Sequence, residues 1–347
     1  MVQTERWNQL LSKIREEQGI AGLVVAVTDR SKLIYCGCFG SESLERPEIV
    51  PSAYSMHRIA SISKVITGIT VFRLQAEGLL DVDEPVKTYL PWLKMSREHA
   101  AERLTLRHLL SHTAGLPAEY SPVGAREESA TLREVQQALP TLPMGAMPGE
   151  GAFLYSNWGF RTIACVIQAV TGMWFSEAAQ KYALEPLGMN KTTYDLRVAA
   201  TYPMSLPHEP GPDGTLQVLH YIRENAARLA TGGLFSSAEQ LGILARFLMN
   251  GGKNDDGVQV LRPESLREMM QPAAVSNGGG YDRYGLSMMM MDLEDQVLYG
   301  HMGSAPPYMS SVFTHPESGF GVITLMNTNR PQLREDIPKL ILRDLIV

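Results

Sequence analysis

Strand-like runs gather at the two ends of this chain while helical periods fill its middle, and that distribution restricts the fold more than any other feature. Near the start, AGLVVAVTD (21–29) and KLIYCGCFG (32–40) are β-branched, turn-bounded runs joined by the polar turn DRSK, the pattern of a hairpin or sheet edge. Four more such runs come late: YGLSMMMMD (284–292), DQVLYGHMG (295–303), YMSSVFTH (308–315) and GFGVITLMN (319–327). Between them ITGITVFRLQAEGLL (66–80), LTLRHLLSH (104–112), WGFRTIACVIQAVTG (158–172), SEAAQKYALEPLG (176–188) and SSAEQLGILARFLMNGG (236–252) have helical periods broken by Gly/Pro turns. HEPGPDGT (208–215) reads as a loop by composition. An amphipathic helix opens the chain, with Trp7, Leu10, Leu11 and Ile14 on one side, and another closes it at 331–347. This order predicts one α/β lobe built from both ends, residues 1–56 and 220–347, with a mainly helical lobe, 57–219, inserted and a site at their interface.

Several function classes drop out on charge and composition. A formal charge of −6, with no Lys/Arg-rich block, gives no electrostatic footprint for a phosphate backbone, so nucleic acid is not an expected partner. The first twenty residues lack the basic and apolar regions of a signal peptide, and no apolar run approaches the length needed to cross a bilayer. Cys36, Cys38 and Cys165 are an odd set that does not resemble a disulfide framework. The expectation is a reduced, cytoplasmic protein without a membrane partner; oligomeric state is left open.

Three short motifs carry chemistry. In HRIASISKVITG (57–68) a serine stands three places before a lysine inside an apolar run. If Ser61 begins a helix, Lys64 lies on the same face one turn later, and burial next to a positive helix N-terminus disfavours its ammonium form. Such a lysine activates the serine; the bland alternative is a helix cap with a solvated lysine. In FLYSNWGF (153–160), Tyr155 and Asn157 stand two apart and can face one side of an extended turn, or belong to a helix-starting loop with a core tyrosine. In YGHMGSAPPY (299–308), His301 and Gly303 end a strand, where a glycine lets a substrate backbone approach closely.

Taken in this order, Ser-x-x-Lys, Tyr-x-Asn and a basic residue-x-Gly on a late strand resemble the serine β-lactamase and penicillin-binding-protein superfamily. The resemblance is closest to the class C β-lactamase branch, with its family VIII carboxylesterase, D-aminopeptidase and lovastatin-type acyltransferase relatives. EGLLDVDEPVKTYLP (77–91), LTLRHLLSHTAGL (104–116), EPLGMNKTTYD (185–195) and ATGGLFSSAEQLGILARFL (230–248) look like further signatures of that branch. The resemblance implies an α/β (α+β) fold of the β-lactamase/transpeptidase type, an antiparallel sheet flanked by helices plus an all-helical lobe. It implies acyl transfer to and from Ser61 on an ester, thioester or amide of a small molecule, by hydrolysis or transacylation, with no cofactor and no metal. Lys64 becomes the general-base partner and Tyr155 the proton shuttle. Asn157, His301 and Gly303 become substrate-binding residues, and the backbone N–H groups of Ser61 and Ser304 form the oxyanion hole. A D-amino-acid peptidase, a β-lactamase and a penicillin-binding sensor that never turns over are the alternatives.

The third motif departs from the branch, since His301 stands where a lysine is usual and Pro307 where a glycine is usual. Imidazole is mostly neutral at pH 7, so weak carboxylate recognition is expected, with neutral esters preferred to cephalosporins and activity changing as His301 titrates. Three other groups admit a competing use. His108 and His112, at i and i+4, have a helix spacing that chelates zinc, but no Glu follows His108 and a structural pair is the better reading. Met288 to Met291 suit an acyl-chain pocket, although strand alternation sends half of them into the core. Cys36 and Cys38 share a strand face and are read as buried structural thiols. The loops 117–150 and 196–225 match no specificity code.

Overall fold

The expected strands form one sheet, and their order explains why they lie at opposite ends of the sequence. The structure, a computed structural model, describes residues 4–118, 129–222 and 226–346; 119–128 and 223–225, within the two uncoded loops, lie outside the described residues. Helix α1 (Thr4–Glu17) leads into strands β1 (Gly22–Thr28) and β2 (Leu33–Gly40), an antiparallel hairpin. Strand β3 (His57–Arg58) precedes helix α2 (Ser63–Ala76). Helices α3 (Leu106–Leu110) and α4 (Asn157–Thr171) follow. Then come strands β4 (His208–Pro210), β5 (Leu216–Val218) and β6 (Phe235–Ser236), and helix α5 (Ala238–Met249). Strands β7 (Ala274–Val275), β8 (Arg283–Tyr284), β9 (Met289–Leu293), β10 (Gln296–Ala305), β11 (Tyr308–His315) and β12 (Phe320–Met326) end at helix α6 (Leu333–Ile346).

The main sheet has the order β2-β1-β12-β11-β10-β9-β8-β7, and all its pairs are antiparallel. Val24 pairs with Leu325 and Ala26 with Ile323, so the two ends of the chain are zipped together one strand in from the edge of the sheet. All seven residues of β1 are buried, because helices cover both faces. Leu23, Val25 and Val27 pack with Trp7, Leu11, Ile337 and Ile341 of α1 and α6. Val24 and Ala26 face a larger core containing Leu241 and Leu244 of α5, Ile66 and Ile69 of α2, and Phe160 and Ile163 of α4. That second core runs without a break from the sheet into the helices.

Four expectations need adjustment. HEPGPDGT is not only loop: β4 and β5 pair across it as a small hairpin, with Glu209 opposite Gln217 and Gly214 at φ +81° in the turn. The run 284–292 is broken at Gly285–Met288, where Ser287 takes φ +64°, so it forms two short strands. All four methionines are buried, Met288 in the helix-side core, Met289 and Met291 in the core under α6, and none is left to line an open pocket. Cys165 is buried, but Cys36 is exposed and Cys38 half-buried, with their Sγ atoms 3.6 Å apart. β2 is the outer strand, and α5 packs mainly on β1, β11 and β12, which leaves these two thiols at the rim.

Candidate active site

Ser61 lies in a 3-10 turn, Ala60–Ile62, that runs directly into α2. Ala60 takes φ +49°, a left-handed backbone costing an alanine about 1 kcal/mol or more. Such a conformation persists where the surroundings over-determine it, and here they do. Ile59 N–H donates to the Leu234 carbonyl at 2.9 Å, Leu234 N–H donates to Ser63 Oγ at 3.2 Å, and Ser63 Oγ donates to the Ala60 carbonyl at 2.7 Å. β3 pairs with β6 just before the turn, His57 opposite Ser236. The segment ATGGLFS thus acts as the template on which the serine turn is built.

Lys64, one turn into the helical stretch, is fully buried. Its Nζ is 3.3 Å from Ser61 Oγ, 2.8 Å from Asn157 Oδ1 and 2.9 Å from the Thr231 carbonyl oxygen. It also stands over the rings of Tyr155 and Phe160, 4.9 and 5.3 Å from their centroids. Asn157 reaches it because Ser156 is extended (φ −134°, ψ 123°) and α4 begins with Asn157 itself. The two-residue spacing of Tyr155 and Asn157 therefore brings both to one amine.

β10 closes the site from the sheet side. β9 stops pairing with it at Gly300, and Met302 N–H points away from β11, to Met289 Sδ at 3.4 Å. Ser304 has the same parity as Met302, so its N–H points to the open side of β10, past the end of β9. Gly303 has a different use from the one expected. A Cβ there would sit 2.2 Å from the Ile59 carbonyl oxygen and 2.2 Å from Ser310 Oγ, and Ser310 Oγ donates to that carbonyl at 2.8 Å. The room is filled by the chain's own backbone rather than kept for a substrate, and the missing side chain lets the serine turn dock on β10.

His301 is corrected more strongly. Its ring is fully buried, with Nδ1 2.6 Å from the Met302 carbonyl oxygen and Nε2 3.0 Å from Tyr284 Oη. A carbonyl can only accept, so Nδ1 carries the proton and Nε2 accepts from the Tyr284 hydroxyl. Burial, above all, pushes its pKa down to about 3. His301 is thus neutral across the physiological range, and the expected titration there does not occur. Arg334, at the start of α6, was not singled out from sequence; it is half-buried, and its charge is felt by both Tyr155 and His301. A lone arginine on an amphipathic helix carries no sequence signal for such a place.

The His108/His112 pair does not share a helix face. His108 Nδ1 caps Thr105 N–H at 3.2 Å, whereas His112 lies beyond α3, at φ +59°, buried against Tyr155. Among the described residues no cluster of three His, Cys, Asp or Glu side chains is placed to hold a metal ion. None of the described helices is long and apolar enough to cross a membrane.

The family model described as Beta-lactamase matches residues 7–345. The chain belongs to the Beta-lactamase family. Membership supports chemistry of the serine-hydrolase type. Among curated relatives, Protein flp of Staphylococcus aureus (strain MW2) is 23% identical over 323 residues, 93% of this chain and 62% of that protein. The chain thus spans about three fifths of the length of that relative. Among solved structures, the octameric penicillin-binding protein homologue from Pyrococcus abyssi superposes with a TM-score of 0.86 at 22% identity, over 99% of this chain and 78% of the other. The D-amino acid amidase from Ochrobactrum anthropi SV3 gives 0.81 at 20% identity, over 99% and 98%. Both likenesses bear out the expected β-lactamase/transpeptidase-type fold.

Proposed function

We propose that this protein is a serine hydrolase that forms an acyl-enzyme on Ser61 with a small-molecule ester, thioester or amide, neutral esters being the preferred class. The observation that carries the reading is the surroundings of Lys64 Nζ, which faces Ser61 Oγ and lies within hydrogen-bond distance of Asn157 Oδ1 and the Thr231 carbonyl. Both of the latter only accept hydrogen bonds. They use two N–H bonds of a neutral amine and leave its lone pair toward the serine hydroxyl. Ser61 Oγ attacks the acyl carbon as Lys64 and Tyr155 take up its proton. The oxyanion is held by the N–H groups of Ser61 and Ser304, each donor contributing about 3 kcal/mol. When the C–O, C–S or C–N bond breaks, Tyr155 returns a proton to the leaving group, and water, deprotonated by the same pair, releases the acid. The site would lie where the sheet-bearing ends of the chain meet its helical middle, within one catalytic unit.

β10 presents no cation, because His301 is neutral and turned inward; a substrate carboxylate would have to reach Arg334 instead. This supports esters over cephalosporins. D-amino-acid amides are the second reading, supported by the full-length superposition on the D-amino acid amidase. The test is intact-mass spectrometry after a fluorophosphonate, alongside turnover of a p-nitrophenyl ester, a D-amino-acid amide and a chromogenic cephalosporin. One adduct on the native protein, none on Ser61→Ala, and continuous ester turnover are expected. Labelling of Ser61→Ala at the native rate would remove Ser61 as nucleophile, and a single stoichiometric burst would identify a sensor.

A further inference from the structure

Tyr155 is held on both flanks by one residue. The His112 carbonyl accepts the Leu154 N–H at 2.9 Å, and His112 Nδ1 accepts the Ser156 N–H at 3.0 Å. Between these two tethers the imidazole lies against the Tyr155 ring, with centroids 4.1 Å apart and planes 34° from parallel. Phe160 and Tyr284 enclose it from other sides at 5.3 and 4.7 Å. The residue reaches this position only through its left-handed backbone, φ +59°.

A side chain that merely filled this space would be apolar. His112 is 1% exposed, and because Nδ1 accepts, its proton is on Nε2, which is buried with no hydrogen-bond partner among the described residues. An unsatisfied buried donor lowers stability. The site therefore tolerates a poorly satisfied imidazole for the sake of the other nitrogen, the acceptor that fixes Ser156 and so the direction in which Tyr155 leaves the chain.

We propose that His112 is a positioning residue for Tyr155, setting the height and tilt of the phenol over Lys64 and Ser61; this rests on the reading of Tyr155 as proton carrier. His112→Gly suits the left-handed backbone but removes the acceptor and the stacked ring, so Tyr155 loses its aim. A misplacement near 1 Å costs about a hundred-fold in rate, and that is the expected fall in kcat for a p-nitrophenyl ester, with KM changed by no more than about three-fold. In His112→Asn, Oδ1 stands close to where Nδ1 was, and asparagine also tolerates positive φ, so kcat should recover to within about ten-fold of native. In a Tyr155→Phe background, His112→Gly should cost less than about three-fold, because two residues acting as one unit are not additive. Should His112→Gly fail to fold, His112→Phe, which keeps a ring and loses the acceptor at the cost of a strained left-handed backbone, replaces it with the same expectation.

A loss of equal size in both backgrounds overturns the proposal. So does an asparagine variant no better than the glycine one at matched melting temperature. Near-native kcat in Tyr155→Phe alone would remove the proton-carrier reading and this proposal with it, a result recognisable because it appears before His112 is touched.

Discussion

His301 donates from Nδ1 to the Met302 carbonyl and accepts at Nε2 from Tyr284 Oη, which leaves neither ring nitrogen for a ligand. Tyr284 is itself fully buried, and its burial raises its pKa well above the ordinary phenol value, so the pair is a fixed neutral unit behind the site. Tyr284→Phe strands the Nε2 lone pair in the interior, and an unmet buried acceptor costs about 1–3 kcal/mol. The expected result is a loss of stability of that order, seen as a lower melting temperature, with an unchanged ester pH–rate profile between pH 5 and 8, since no proton is gained or lost at His301 there. An inflection near pH 6 that vanishes in His301→Gln would refute this account. Residue types were legible in the sequence at this scale, but side-chain direction was not. Nothing in YGHMGSAPPY tells whether the histidine looks toward solvent or toward Tyr284, because its partner lies seventeen positions away on a different strand.

Between elements, the decisive contact is that of the Ala60–Ile62 turn with β10. Ile59 presents its carbonyl to Gly303 and Ser310 at van der Waals range or closer. Gly303→Ala places a methyl group 2.2 Å from that oxygen, and overpacking of this kind costs about 1–3 kcal/mol. The turn must move to relieve it, so acylation of Ser61 should slow by more than ten-fold while the protein still folds cooperatively; a variant that acylates at the native rate would show the contact to be dispensable. The long elements could be read from sequence: β11 spans the predicted 308–315 and β12 falls within 319–327, because alternation and turn residues bound them. Ser61 was expected at a helix start, and the helix instead begins at Ser63 after a 3-10 turn. That shift depends on Ala60 being forced to positive φ by Leu234 and Ser63, partners no local pattern reveals. The exposed Cys36 escaped for a similar reason, since which strand ends up outermost is a property of the whole sheet.

Across the molecule, one apolar core joins the sheet to the helices, and several histidines are enclosed in or beside it in neutral form. Burial pushes the pKa of His57 down to about 4 and that of His301 to about 3, and holds His112 well below the usual value. A depressed histidine pKa means that the unfolded chain binds more protons than the folded one between the folded value and about 6.5. Stability is therefore full above pH 6.5 and falls as pH drops, by about 2 kcal/mol for each of His57 and His301 at pH 5. A melting temperature that declines from pH 7 to 5 at constant ionic strength is expected; a flat profile would contradict the burial of these rings. The pairing of Leu23 with Met326 and Thr28 with Gly321 has a consequence for how the molecule is made. On a ribosome, β1 emerges roughly three hundred residues before the strand that covers its second edge, an interval of about 15–60 s at ordinary synthesis rates. During that interval the hairpin of β1 and β2 carries an apolar, hydrogen-bond-hungry margin into solvent, and the last strand to be translated is the one that quenches it.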